Sequence, residues 1–321
     1  MENIINTSIL LSIIIPIYNS ENFLCDCVDS LYLQNMSEEE FEILLINDGS
    51  LDNSYAICQG LSREHTNIRL FSQKNQGQAV ARNLGMEQAK GKYIMFVDSD
   101  DRLPDKVVAK MLVEAEKHQT DILIGSMKVY NAQGDVTINS DFKKYNNVVS
   151  GEYALLHGFS TGSVCGRLFL NDFIKKNHLS FLSSIKHEDV LFTIKALSFA
   201  KRIMSLNLCC YIYLWHEGST DRSFDYESRC KLIFSDLIIA EEEQKFAQDI
   251  RHSKQLRDRL LAHSNSLVCS NIICMFLKYR FYKTFIPVYF KQAVARNVLP
   301  FKGKALSRNT TLLCKIINLF C

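Results

Sequence analysis

Short apolar runs alternate with stretches of helical periodicity through the first 130 residues. LSIIIPI (11–17), FEILLIN (41–47), NIRLFS (67–72), YIMFV (93–97) and DILIGSMKVY (121–130) each read as a buried strand. Between the first two, residues 21–34 carry Phe23, Leu24, Cys27, Val28 and Leu31 at helical spacing, and 52–63, 78–90 and 105–118 follow the same pattern. This alternation predicts βαβ units, hence an α/β fold whose mainly parallel, Rossmann-like sheet is flanked by helices on both faces. Residues 131–150 are polar and predict a loop or hairpin. A strand (SVCGRLFL, 163–170), a helix (188–200) and a strand (CCYIYLWH, 209–216) follow, and beyond 226 only helical patterns are legible. The chain divides on this reading into an α/β body, 1–225, and a helical extension, 226–321.

Composition narrows the class. With 321 residues, 47% of them hydrophobic and 22% charged, the chain is globular. Its 11 cysteines include no CxxC pair and suit no zinc knuckle. With no secretory leader legible, reduced thiols and a cytoplasmic location are expected. No run of about 18 apolar residues is present, so no transmembrane helix is expected.

Charge is divided along the chain. Asp258 is the last acid, and ten of the 37 basic residues lie beyond it, so residues 1–258 hold 27 basic against 35 acidic residues, net −8. In that basic end, MFLKYRFYKTF (275–285) interleaves aromatic and aliphatic residues with Lys and Arg. Such a pattern suits an interfacial helix on an anionic membrane surface. Nucleic acid is a poorer fit, since no reading motif occurs and the body is acidic.

Three stretches carry candidate chemistry. The strand YIMFV runs into DSDD, where like charges at a strand end repel unless something positive meets them. If the chain stays extended, Asp98 and Asp100 point the same way, and two such carboxylates suit Mg²⁺ or Mn²⁺. Asp48 likewise follows a strand, with Gly49 for a tight turn and Ser50 or Asp52 to cap the next helix. In SQKNQGQAVARNLG, Gly77 opens a helix flanked by Lys74 and Arg82, a combination that can meet phosphates, and Gly85 lets that helix pack closely. Taken singly, these read as a polar turn, an ordinary strand–turn–helix junction and surface charge.

Together they resemble the family 2 glycosyltransferases, whose nucleotide-binding half has the GT-A fold. SIIIPIYNSENFL, ILLINDGSLDNS and NQGQAVARNLGMEQAKGKYIMFVDSDD stand in that family's order and spacing. The resemblance is strong over residues 11–105 and thinner to about 222. It implies that Pro16 and Tyr18 lie against a nucleobase, with Glu21 near the nucleotide and Asp48 on the base edge, favouring uracil. It implies Arg82 near the base or phosphates, Asp98 at ribose and sugar, and Asp100 on a divalent metal. Gly166 and Arg167 match a segment lining the sugar pocket. Glu188 and Asp189, within SSIKHEDVLF, resemble the family's acidic pair, in which the Asp is the base and the Glu assists or binds the acceptor. His216, in YIYLWHEGST, is placed to touch the diphosphate or ligate the metal, although Leu214 stands where the family often has Arg.

These implications amount to an inverting, metal-dependent transfer of a hexose or N-acetylhexosamine from a UDP-sugar to a glycan or lipid-linked acceptor. Such synthesis of bacterial surface polysaccharide would sit at the inner face of the cell membrane. A sugar-phosphate nucleotidyltransferase would want a glycine-rich basic loop where this chain has YNSENFL. A catalytically silent nucleotide-sugar-binding protein would show broken motifs, and none is broken here.

Overall fold

The computed structural model describes residues 9–130, 136–139, 147–159, 162–215, 225–249 and 251–319. The α/β part runs β1 (Leu11–Ile17), α1 (Leu24–Tyr32), β2 (Phe41–Asn47), α2 (Ser54–Glu64), β3 (Ile68–Ser72), α3 (Gln78–Gln88), β4 (Tyr93–Phe96), α4 (Val108–His118) and β5 (Ile122–Tyr130). It continues with β6 (Val136–Asn139), α5 (Gly151–Leu156), β7 (Arg167–Leu170), α6 (Asn171–Lys176), α7 (Glu188–Phe199) and β8 (Ile203–Leu214).

The strands form one sheet in the order β3-β2-β1-β4-β7-β5-β6, with β8 paired to β5. β3, β2, β1 and β4 are parallel. β7 then enters antiparallel to both β4 and β5, so the sheet is mixed where the sequence pattern predicts only a mainly parallel one. β6 pairs antiparallel with β5, as a hairpin does. Every residue of β1 and β2 is buried, as expected for central strands covered on both faces. Gly85 brings α3 onto β1: a Cβ there would lie 2.3 Å from Ile14 Cγ2. The short helices α5 and α6 escape the sequence reading because six residues hold too few turns to reveal a period.

Beyond β8 come α8 (Tyr226–Phe246), α9 (Lys254–Leu277), α10 (Tyr279–Tyr282), α11 (Phe285–Ala295) and α12 (Arg308–Ile317). Ala247, Leu256 and Leu260 join the core of the α/β part, whereas Leu237, Val268, Ile272, Met275 and Tyr289 build a second core. One helix bears on the expectation that the chain has no transmembrane segment. Among the described residues α9 is long and apolar enough, by length and composition, to cross a membrane. The sequence conceals this because Ser, Asn and His interrupt the run. Those polar groups are used inside the protein: Ser264 donates to Ala240 O, His263 pairs with Glu243, and Asn265 donates to Lys302 O and Lys304 O. Contacts of that kind belong to the core helix of a bundle.

Candidate active site

The carboxyl ends of β1, β2 and β4 open onto one crevice, the place where α/β sheets bind ligands. Asp48 N donates to Ile17 O, joining the ends of β1 and β2. Gly49 turns the chain with φ +68°, and a Cβ on it would lie 2.8 Å from Asn75 N. The loop before α3 therefore lies directly against this turn. Asp48 fastens it: its carboxylate accepts from Gln73 Nε2 (2.8 Å), Gln76 N (2.9 Å) and Gly77 N (2.8 Å). Both oxygens are thus engaged within the protein, a role that the expected base contact leaves out.

The acidic turn resolves the repulsion among its carboxylates in three ways. The chain is not extended there, since Asp101 N donates to Asp98 O at 3.1 Å and closes a turn. That corrects the premise that Asp98 and Asp100 share a strand face. Asp98 Oδ1 accepts from Arg82 Nη2 and from Gln78 Nε2, both at 2.8 Å. Asp101 is buried and accepts from Tyr211 Oη (2.7 Å) and Leu214 N (2.9 Å). Burial, reinforced by Asp98 and Asp100, pushes its pKa up to about 8. Asp100 lies half-buried in the turn itself.

Arg82 is the centre of the site. Its guanidinium is 2% exposed and bonds Asp98, Glu188 Oε1 (3.0 Å) and Asp189 Oδ1 (2.5 Å). Burial works against its charge, and Asp189, Asp98 and Glu188 together outweigh that. Arg82 is expected near base or phosphates; in the structure α3 turns its side chain inward toward α7, into this carboxylate cluster. Residues more than 100 positions apart are brought together. Burial, and then the neighbouring Asp189, hold the Glu188 carboxyl above the ordinary range. Burial likewise raises Asp189, against the pull of Arg82. Asp189 Oδ2 also accepts from Val164 N at 3.2 Å. The N-terminus of α7 by itself would lower the Asp189 pKa, and burial overrides it.

Arg167 is fully buried near Asp189, and its guanidinium lies 5.8 Å from the centre of the Phe159 ring. Burial brings its pKa down to about 10, with Asp189 opposing. Around the crevice rim, Pro16 is buried at the end of β1 and Tyr18 is 46% exposed just beyond it. Glu21 Oε2 accepts from Asn53 N and Nδ2, locking the loop after β1 to the start of α2. Lys74 is exposed, and Gly77 carries φ +91° at the entry to α3. His216 lies outside the described residues. Sequence reasoning missed Gln78 and Tyr211. Gln78 directly follows the singled-out Gly77, whereas nothing local marks Tyr211, whose partners are about 110 residues away.

For a divalent cation, the fit rests on Asp100, a hard oxygen donor partly open to solvent beside Asp98. Among the described residues no group of three or more His, Cys, Asp or Glu is gathered to hold a metal. A site of one or two carboxylates completed by phosphate oxygens is the ordinary arrangement for Mg²⁺.

A mainly parallel mixed sheet with an acidic turn and a fastened loop at its strand ends, and a second acidic pair at the start of α7, is the layout of the GT-A fold. The chain superimposes on Staphylococcus aureus TarS 1–349, solved in complex with UDP-GlcNAc, with a TM-score of 0.64 and 24% identity over 84% of this chain and 73% of that one. A mannosyltransferase from Pyrobaculum calidifontis, solved with GDP-Man and Mn²⁺, gives a TM-score of 0.56 at 12% identity, covering 97% and 87%. Residues 12–176 match the model of the glycosyl transferase family 2, and the chain belongs to that family. It is 31% identical to the uncharacterized glycosyltransferase YibD of Escherichia coli, over 68% of this chain and 64% of YibD. It is 33% identical to the poly(ribitol-phosphate) beta-glucosyltransferase of Bacillus spizizenii, over 67% of this chain and 34% of that protein. The chain thus spans less than two thirds of either relative.

Proposed function

We propose that the protein is an inverting glycosyltransferase that moves a hexose or N-acetylhexosamine from a UDP-sugar to a glycan or lipid-linked glycan. The observation that carries this reading is the meeting of Asp98 with Glu188 and Asp189 on one buried guanidinium. It sets an acidic donor-side turn beside a second carboxylate pair of raised pKa. A single carboxylate base is what an inverting displacement needs. The relatives whose names give an acceptor act on poly(ribitol-phosphate), which supports a cell-surface polymer as the acceptor class.

In this mechanism Asp189 takes the proton of the acceptor hydroxyl as its oxygen attacks the anomeric carbon. The bond from that carbon to the diphosphate oxygen breaks, and its electron pair leaves with UDP. Arg82 keeps Asp189 aimed and ionised, and its burial keeps competing water away from the guanidinium. Asp98 faces ribose and sugar, Glu188 binds the acceptor, and Tyr18 stacks on the base. Asp100, with the donor's phosphates, would hold Mg²⁺ or Mn²⁺, which neutralises charge on the leaving diphosphate. The basic helical end places the enzyme at an anionic membrane surface.

The test is turnover against a panel of UDP-sugars and polyol-phosphate or lipid-linked acceptors, with product anomer read by NMR. Inversion by the wild type, and loss of about 10³-fold in kcat in Asp189→Asn, are expected for removal of a general base. A retained anomer, or an Asp189→Asn variant of near wild-type rate, overturns the reading.

A further inference from the structure

The turn that delivers Glu188 and Asp189 is held from outside the α/β part. His187, just before α7, has φ +59°, in the left-handed region that glycine adopts most readily. The fastening comes from consecutive residues on α8. Lys186 N donates to Ser235 Oγ at 2.9 Å, and His187 Nδ1 meets Asp236 Oδ1 at 3.2 Å. Ser235 and Asp236 are both 5% exposed. The second oxygen of Asp236 accepts from Asn271 Nδ2 of α9 at 3.1 Å. Ser235 Oγ in turn donates to Lys231 O within α8. A buried carboxylate is costly unless its hydrogen bonds are satisfied. Here they are satisfied by one group from α9 and one from the turn.

We infer that Asp236, with Ser235, is a positioning residue for the Glu188–Asp189 pair. The helical region braces the turn so that both carboxylates reach Arg82 and the acceptor. α8 and α9 are then working parts of the active site, although neither supplies a group that touches substrate. The inference rests on the proposed role of Asp189. It also says why the family match, which ends at residue 176, does not enclose the functional unit: the brace lies 59 residues or more beyond that end.

The experiment uses the full chain and measures kcat, donor KM and UDP binding by thermal shift. The variants are Asp236→Ala, Asp236→Asn, His187→Gly and Asp189→Asn. Misplacing a reacting group by about 1 Å costs up to about 100-fold, so Asp236→Ala is expected to lower kcat about 10- to 100-fold with donor KM changed less than about twofold. Asp236→Asn keeps an acceptor for His187 and is expected to recover most of the rate. His187→Gly accepts the left-handed backbone without strain and is expected to fold yet lose kcat as Asp236→Ala does. This variant decides the matter if Asp236→Ala does not fold. Unchanged kcat in a folded Asp236→Ala or His187→Gly overturns the brace, as does a fall in kcat matched by an equal loss of UDP binding. An active Asp189→Asn would instead overturn the base assignment on which the brace depends, so the two failures are distinguishable.

Discussion

Arg82 Nη1 stands 2.5 Å from Asp189 Oδ1, and the other terminal nitrogen of the same guanidinium bonds Asp98. One buried cation therefore spans the donor-side turn and the proposed base. The pairing favours the ionised carboxylate and burial opposes it, which leaves the Asp189 pKa above the ordinary carboxylate value.

The sign of the resulting pH dependence follows. A base must be unprotonated, so kcat/KM rises with pH through the Asp189 pKa, which lies above the ordinary carboxylate range. Removing the cation that lowers it moves this limb further up. Arg82→Gln is expected to shift the acid limb to higher pH and to lower kcat at neutral pH by about 10-fold or more. A pH–rate profile with the limb unmoved, or moved down, would contradict the pairing.

Asp100 is the partly open oxygen donor of the turn, and its removal separates donor binding from the base. UDP is expected to raise Tm in the presence of Mn²⁺ and much less after chelation. In Asp100→Ala the Mn²⁺-dependent part is expected to vanish while the unliganded Tm changes by no more than a few degrees. Equal stabilisation by UDP with and without metal would remove Asp100 from the assigned role.

Glycines on two successive helices carry opposite expectations. A Cβ at Gly85 would lie 2.3 Å from Ile14 Cγ2, whereas a Cβ at Gly60 in α2 meets nothing within 4 Å. Gly60→Ala is expected to stabilise by about 1 kcal/mol through helix propensity alone. Gly85→Ala gains the same propensity but overpacks α3 against β1, which costs about 1–3 kcal/mol, and a net loss is expected. Denaturant unfolding of both variants checks the pair.

The end of α9 and α10 present Phe276, Leu277, Tyr279 and Phe281 to solvent beside Lys278, Arg280 and Lys283. Leu277 is 82% exposed, and Leu277, Lys278, Tyr279, Arg280 and Phe281 with Arg229 and Tyr282 line an open cavity of about 610 Å³. The full chain is expected to co-sediment with vesicles containing anionic lipid and not with purely zwitterionic ones. Each cation contributes about 1 kcal/mol, so Lys278→Ala with Arg280→Ala should weaken binding about 30-fold. Equal binding to both vesicle types, or by both proteins, would exclude this surface as an anionic-lipid contact.

The sequence by itself determined β1 to β5 and β7, because apolar runs of four to nine residues bounded by polar turns admit few other readings. β8 instead starts at Ile203, ahead of the strand read over 209–216, and β6 falls in the stretch read as a loop or hairpin. Asp48, Gly77, Asp98 and the Glu188–Asp189 pair were legible as well, since each sits at a strand end or helix start that the pattern marks. Only the tertiary structure decided what those residues touch. Arg82 reads as a flanking surface cation along the chain, and folding buries it among three carboxylates. Asp101 reads as one more like charge, and burial against Tyr211 raises its pKa. β7 reads as another strand, and only pairing reveals that it runs antiparallel. The brace from Asp236 to His187 spans 49 residues and has no local signature at all. Periodicity records which face of an element is buried. Partners across the fold depend on how the elements pack, and that information is distributed over the whole chain.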